Sequence, residues 1–288
     1  MEESLTIAQI LVLGKTLLKN RGIDSFVLDA NVLLCYSLNC SPEDLLRDAL
    51  KVIDKANIEK YKSLLVRRYN YEPVAYIIGK KEFYSQDFIV NDSTLIPRPD
   101  SEILVESVIK YIKNNVRKRV NILDLGTGSG CLLLSILANT EDSFGFGVDI
   151  QQKAINTAIL NASNLGLAKR VKFDITDWVS MVDGEYDIII SNPPYISIAD
   201  ISCLDPSVVK YEPIKALDGG DDGLACYRQL APIIGRNLKP EGIFFLECGI
   251  GQHNDVSDIM AEHGFKLLGF EHDLAGVNRC LKFTNGTA

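Results

Sequence analysis

Several residue types that would support other chemistries are scarce in this 288-residue chain. It has three histidines, and His253, His263 and His272 show no metal-ligand spacing with one another. They read as surface or loop residues, and no metal site is expected. Its seven cysteines are odd in number and contain no C-x-x-C pair, which argues for reduced thiols and against a disulfide frame or zinc site. Cys131 reads as a helix-packing residue rather than a reactive one. No apolar run approaches the roughly 20 residues that span a bilayer. Met1-Glu2-Glu3-Ser4 lacks the basic start of a signal peptide, so a soluble, cytoplasmic protein is expected. There is no internal repeat or low-complexity segment.

Positive charge is also short where a polyanion would need it. The net charge is −8; residues 1–85 carry 12 basic and 11 acidic side chains, leaving 18 and 27 for the rest. That larger part is a poor surface for nucleic acid, and direct nucleic-acid binding is not expected. The one basic run, Lys110 to Arg119, reads as the solvated end of a helix.

What is present divides into two styles. Leu5, Ile7, Ile10, Leu11, Leu13, Leu17 and Leu18 recur at helical spacing up to Gly22, which suits the position just past a helix end. A second apolar-faced segment covers 25–38. Ser41-Pro42-Glu43-Asp44 is a helix start, with a capping hydroxyl, Pro at the first helical position and acids in the first turn. A fourth helix is expected from Asn57 to Tyr71, stopping before Pro73. The division expected is therefore a helical bundle over 1–78, a hairpin linker over 79–93, and an α/β domain over 94–288.

Within the last part, the apolar run Tyr186 to Ser191 reads as a buried strand ended by Asn192-Pro193-Pro194-Tyr195. Neither proline has an N–H, and both fix φ, so the strand cannot continue. This group suits a planar NH2: the Asn192 oxygen and Pro193 carbonyl can accept its two hydrogens while Tyr195 covers its face. Acceptors that pull those hydrogens out of plane expose the nitrogen lone pair to an electrophile. Taken alone, the tetrapeptide can also be read as a proline-stiffened turn.

The electrophile's site comes from upstream. A strand over 120–125 is followed by Gly126-Thr127-Gly128-Ser129-Gly130 and a helical stretch from Cys131 to Ala138. Asp124 precedes the glycines, where it would repel a pyrophosphate, and the glycine spacing departs from the dinucleotide pattern. A cationic ligand fits better. The next strand ends in Asp149, where a carboxylate can accept both ribose hydroxyls. The one after is followed by Asp177-Trp178, an acceptor beside a ring that can hold an adenine. Each acid alone is also a turn former or helix cap. Together Asp124, Asp149, Asp177 and Asn192 end four successive strands, where open parallel sheets bind ligands. A ribose, an adenine and a positive charge describe S-adenosylmethionine.

With these blocks in place, the chain resembles the HemK/PrmC protein-(glutamine-N5) methyltransferases over nearly its whole length. The resemblance rests on Glu72 to Gly79, Phe83-Tyr84, Leu95-Ile96-Pro97-Arg98-Pro99-Asp100-Ser101-Glu102, Asp124 to Gly130, Asp177-Trp178 and Asn192 to Tyr195. Further downstream it includes Tyr211-Glu212-Pro213, Ala216 to Leu224, Asp273 to Gly276 and Arg279. It implies a class I S-adenosylmethionine-dependent methyltransferase fold: a seven-stranded, mostly parallel, doubly wound α/β sheet with a small N-terminal helical substrate-recognition bundle. It also implies cofactor contacts from the glycine loop, Asp149, Trp178 and Asn192, with S-adenosylhomocysteine as the product. Asn192, Pro193, Pro194 and Tyr195 would hold the substrate glutamine, with Arg98 and Glu212 as further substrate-side residues and Arg279 as a brace. The family's substrates are class 1 peptide-chain release factors, methylated on the glutamine of Gly-Gly-Gln. Ser101 stands where Thr is usual, keeping the hydroxyl, and His272 stands where Arg is more usual.

The expectation is thus a monomeric methyltransferase acting on a release-factor glutamine by direct transfer. Alternatives are a ribosomal-protein glutamine or a DNA adenine as acceptor, or a non-catalytic S-adenosylmethionine sensor that binds translation factors.

Overall fold

Apolar residues three and four apart wind the first part of the chain into α-helices, each with a local start signal. The computed structural model describes residues 5–115, 119–177 and 184–286. It divides into one unit of residues 1–79 with 205–211 and another of residues 80–204 with 212–288.

In the first unit, α1 (Ile7–Asn20) opens on a capping box between Thr6 and Gln9 and ends where Gly22 takes φ +79°. The second helix, α2 (Phe26–Leu38), buries Ala30, Leu33 and Leu34. The start at Ser41-Pro42 gives the short α3 (Pro42–Arg47), with Ser41 and Asp44 exchanging capping bonds. Next, α4 (Lys55–Tyr69) begins two residues before the expected Asn57, because the Asp54 carboxylate accepts the Asn57 N–H at 2.9 Å. As expected, α4 stops before Pro73, whose carbonyl then accepts from Tyr76 and Ile77 to start α5 (Val74–Ile78). An ion pair between Asp29 and Arg68, 2.6 Å apart, is enclosed in this bundle. The helix Pro206–Tyr211 also belongs to this unit, where the Tyr211 hydroxyl donates to the Asn70 carbonyl at 3.0 Å.

The second unit begins with a hairpin, β1 (Lys80–Phe83) and β2 (Gln86–Ile89). Its two-residue turn puts Tyr84 and Ser85 at φ 50° and 60°, a conformation that usually calls for Gly or Asn. Carboxylates hold it instead: Glu102 accepts the Tyr84 N–H at 2.9 Å and Glu82 the Ser85 N–H at 2.7 Å.

Helix α6 (Glu102–Asn115) leads into a sheet of β3 (Val120–Leu125), β4 (Ser143–Asp149), β5 (Val171–Ile175), β6 (Tyr186–Ser191), β7 (Leu238–Glu247), β8 (Phe265–His272) and β9 (Asn278–Asn285). Its order is β5-β4-β3-β6-β7-β9-β8, with β3 to β7 parallel and β9 antiparallel to both neighbours. This is the seven-stranded, mostly parallel sheet that the sequence led us to expect. Between β3 and β4 lies α7 (Cys131–Ala138), and between β4 and β5 lies α8 (Gln152–Asn164).

Alternate strand residues serve opposite faces. Ile122, Ile188, Ile190 and Phe245 join one core cluster, while Leu123, Ile189 and Phe244 join the other. Each such fully buried side chain contributes ~1.5–3 kcal/mol, so the central strands are fixed in register by their burial on both faces. That register aligns Asp124 with Gly147 and Ile190, and Asp149 with Ile175. The chain order reverses at β3, which has β4 on one side and β6 on the other. Such switch points open a crevice at the strand C-termini. No described helix is long and apolar enough to cross a membrane.

Candidate active site

At that crevice lies a cavity of about 370 Å³. Its floor is the turn after β3. Gly126 and Thr127 both donate their N–H to the Val148 carbonyl at 2.9 Å, folding the loop against β4. Gly128 has φ +55°, and a Cβ there would meet nothing within 4 Å, so its value is backbone freedom beside open space. Gly147 works differently: a Cβ would stand 2.8 Å from the Thr127 hydroxyl and 2.7 Å from the Phe173 ring. Only glycine lets β4 approach the loop so closely.

The acids take distinct places. Asp149 lines the cavity; its carboxylate accepts from the Gly128 N–H at 3.0 Å and the Gln151 N–H at 2.9 Å. Burial raises its pKa, opposed by the Gln151, Gly128 and Ile150 N–H groups. Each oxygen keeps lone-pair capacity for a ligand hydroxyl. Asp124 lies beneath the loop, fully buried, and is not part of the lining. One of its oxygens accepts from the Thr127 hydroxyl at 2.6 Å, and among the described residues the other has no hydrogen-bond partner. Burial pushes its carboxyl up to about 7, with the Asp149 charge adding to the rise and the Thr127 bond opposing it. A cation arriving at the loop would favour the ionised form, so this acid fits a positively charged ligand. Asp177 lines the cavity. Trp178 lies outside the described residues.

On the other side, Asn192 and Pro194 line the cavity, while Pro193 is buried and Tyr195 is half-buried outside the lining. The Asn192 Nδ2 donates to the Ser101 hydroxyl at 3.2 Å. Among the described residues none donates to its Oδ1, which is left as an acceptor. Ser191 ties the end of β6 to β3 by donating to the Leu125 carbonyl at 2.6 Å. Tyr195 packs against the second core cluster, and its hydroxyl donates to Glu247 at 3.3 Å.

Arg98 lines the cavity, and Glu212 stands behind it. The buried Glu212 carboxylate accepts from Arg98 at 2.5 Å and from the Ile96 N–H at 3.0 Å, fixing the Ile96-Pro97-Arg98 segment. Arg279 bonds Asp273 at 3.2 Å and the Cys248 carbonyl at 3.0 Å, with Asp100 at 3.6 Å.

The structure thus brings Gly126 to Ser129, Asp149, Asp177, Asn192, Pro194 and Arg98 to one cavity, and puts Asp124, Gly130, Pro193, Tyr195 and Glu212 in its supports. Cys131 also reaches the lining, but burial pushes its thiol up to about 12, so it stays neutral and unreactive at physiological pH. Sequence reasoning missed Lys215, Asp218 and Gln229 in the lining, and Glu247 and Gln252 behind Tyr195. A signal existed for Glu247: it directly follows the apolar run 242–246, the same strand-end position that singled out Asp124, Asp149 and Asn192.

Comparison with known proteins places both parts of the chain. The family model of the PrmC N-terminal domain matches residues 9–79, and that of a methyltransferase domain matches residues 116–263. A release factor glutamine methyltransferase of Rhodospirillum rubrum is 39% identical over 280 residues, covering 97% of this chain and 85% of the relative. Another, of Agrobacterium fabrum, is 36% identical over 280 residues, covering 96% and 97%. Among solved structures, a ribosomal protein L11 methylase of Lactobacillus delbrueckii subsp. bulgaricus shares the fold, with a TM-score of 0.51 at 17% identity over 68% of this chain and 83% of that one.

Proposed function

The chain belongs to the release factor glutamine methyltransferase family, and we propose that it methylates the side-chain amide nitrogen of the Gly-Gly-Gln glutamine in class 1 peptide-chain release factors. The observation that carries this reading is Asn192: its nitrogen is engaged by Ser101, and its oxygen is left to accept at a cavity that the glycine loop and Asp149 also line.

The glycine loop, Asp149 and Asp177 would hold S-adenosylmethionine, with Asp124 beneath the loop favouring its charge. When bound, it supplies a methyl group activated by a sulfonium. The chain's own task is to present the amide. Asn192 Oδ1 and the Pro193 carbonyl accept its two hydrogens and turn its lone pair toward the methyl. Pro193 and Pro194 keep the turn stiff, so the acceptors do not follow the amide as it moves. Orientation of this kind provides most of the acceleration, since no covalent enzyme intermediate is needed. No base is required: the proton leaves once the nitrogen has become cationic. Arg98, fixed by Glu212, stands at the rim as a substrate-side contact.

The test offers purified release factor, ribosomal proteins and duplex DNA in parallel with labelled S-adenosylmethionine, then locates the methyl by mass spectrometry. Label on the Gly-Gly-Gln glutamine is expected, disappearing when that residue is replaced. Label on DNA or another protein would overturn the substrate, and cofactor binding with no transfer to anything would overturn the activity.

A further inference from the structure

Tyr195 is held from two directions, by the end of β7 and by the turn that follows it. Its hydroxyl donates to Glu247 Oε1 at 3.3 Å, and its main-chain carbonyl accepts from Gln252 Nε2 at 2.9 Å. Gln252 is itself fixed: its Oε1 accepts the Gly249 N–H at 2.9 Å, and its Nε2 also reaches the Gly223 carbonyl at 3.3 Å. The fit leaves no slack. A Cβ on Gly223 would stand 2.5 Å from the Tyr195 carbonyl oxygen, and one on Gly249 would stand 3.0 Å from the Tyr195 ring.

Glu247 is almost wholly buried, and the Tyr227 hydroxyl holds its main-chain carbonyl at 2.9 Å. Burial raises its carboxyl to about 7; the Ser101 hydroxyl, Arg279 and the Tyr195 hydroxyl oppose that rise in that order. Burial also raises the Tyr195 phenol well above its usual range, so it stays protonated and is the donor. The hydroxyl of Ser101 is the one that accepts from Asn192. Glu247 therefore stands directly behind Tyr195, and among the described residues its other oxygen, Oε2, has no hydrogen-bond partner.

We infer that Glu247 and Gln252 are positioning residues for methyl transfer, gripping Tyr195 by its hydroxyl and its carbonyl so that Asn192 and Pro193 keep their acceptor atoms at the crevice. This rests on the reading that the tetrapeptide holds an amide. It changes what Tyr195 does: the residue is a strut behind the site, and its hydroxyl matters. A tyrosine that only covered the amide plane could be replaced by phenylalanine without loss.

The test measures kcat and KM for intact release factor, with the cofactor's dissociation constant from equilibrium dialysis, in the full-length protein. Tyr195→Phe, Glu247→Ala and Gln252→Glu should each lower kcat by about tenfold, the scale of a small misplacement of reacting groups. The dissociation constant should stay within about threefold, since none of the three touches the cofactor side. Glu247→Gln keeps an acceptor oxygen for the phenol and should recover part of the loss. Combining Tyr195→Phe with Glu247→Gln should cost no more than about twofold beyond the worse single change, because both act on the one Tyr195–Glu247 bond, which the first removes and the second only weakens. Should Glu247→Ala fail to fold, the Phe and Gln variants decide the matter. Wild-type kcat in Tyr195→Phe, or multiplicative losses in the double variant, would overturn the inference. Failure of the underlying reading shows separately, as a wild-type protein that methylates no release factor.

Discussion

The two walls of the crevice are built in different ways. On the cofactor side the bonds are mostly short-range: Thr127 reaches an acid 3 residues away, Gln151 one 2 residues away, and Gly128 one 21 residues away. On the acceptor side, Asn192 is held by a residue 91 positions distant, and Tyr195 by residues 52 and 57 positions distant. A local wall can be assembled from one strand, its turn and the next strand. The other wall depends on the whole sheet, because β6 and β7 must be aligned before Glu247 and Gln252 can reach Tyr195.

That contrast predicts separable defects. The largest should follow Asp149→Ala, which removes a charged acceptor from the cofactor wall. Charged hydrogen bonds contribute ~1.5–3 kcal/mol, so the cofactor's dissociation constant should rise by about 10- to 100-fold. Turnover at saturating cofactor should be nearly kept. A loss confined to kcat would break the division.

The next effect is pH. Asp124 ionises at about 7 in the folded protein against 3.8 for the ordinary side chain. Below about pH 7 a cationic ligand must displace its proton, so affinity should weaken by up to about tenfold per pH unit as the pH falls. The sign for stability is opposite. Between pH 3.8 and about 7 the folded state holds a proton that the unfolded state has lost, so this residue makes the ligand-free protein less stable as pH rises. Asp124→Asn should flatten both dependences, read by calorimetric binding and by thermal melting across that range. Unchanged slopes would place the charge coupling elsewhere.

The smallest effect concerns Ser101. Ser101→Thr keeps the hydroxyl that Asn192 meets and should hold kcat within about twofold, whereas Ser101→Ala should cost about three- to tenfold, the scale of one neutral hydrogen bond. Equal rates for Thr and Ala would remove Ser101 from the acceptor wall.

The same contrast explains what could be read without coordinates. Asp124, Asp149 and Asp177 stand beside glycines and apolar runs that a window of a few residues reveals. Asn192 was legible because two prolines mark the strand end. Glu247 met the strand-end rule but lacked such a marker, and its partner is a tyrosine in another segment. Gln252 had no local sign at all, since its role comes from bonds to Tyr195 and Gly223. In the helical unit, Pro73 signalled an ending because the residue before it is barred from helix, yet a proline can equally begin the next one, as it does before α5. The turn at Tyr84-Ser85 carries no glycine, and Glu102, far along the chain, supplies what the local sequence lacks.

The most direct test of the account is single-turnover methyl transfer to intact release factor by Asn192→Ala, with cofactor occupancy confirmed beforehand. The account predicts a cofactor-loaded enzyme whose transfer is slowed by at least about tenfold, the value of a ~1.4 kcal/mol transition-state hydrogen bond. Transfer at the wild-type rate from that loaded enzyme would contradict it.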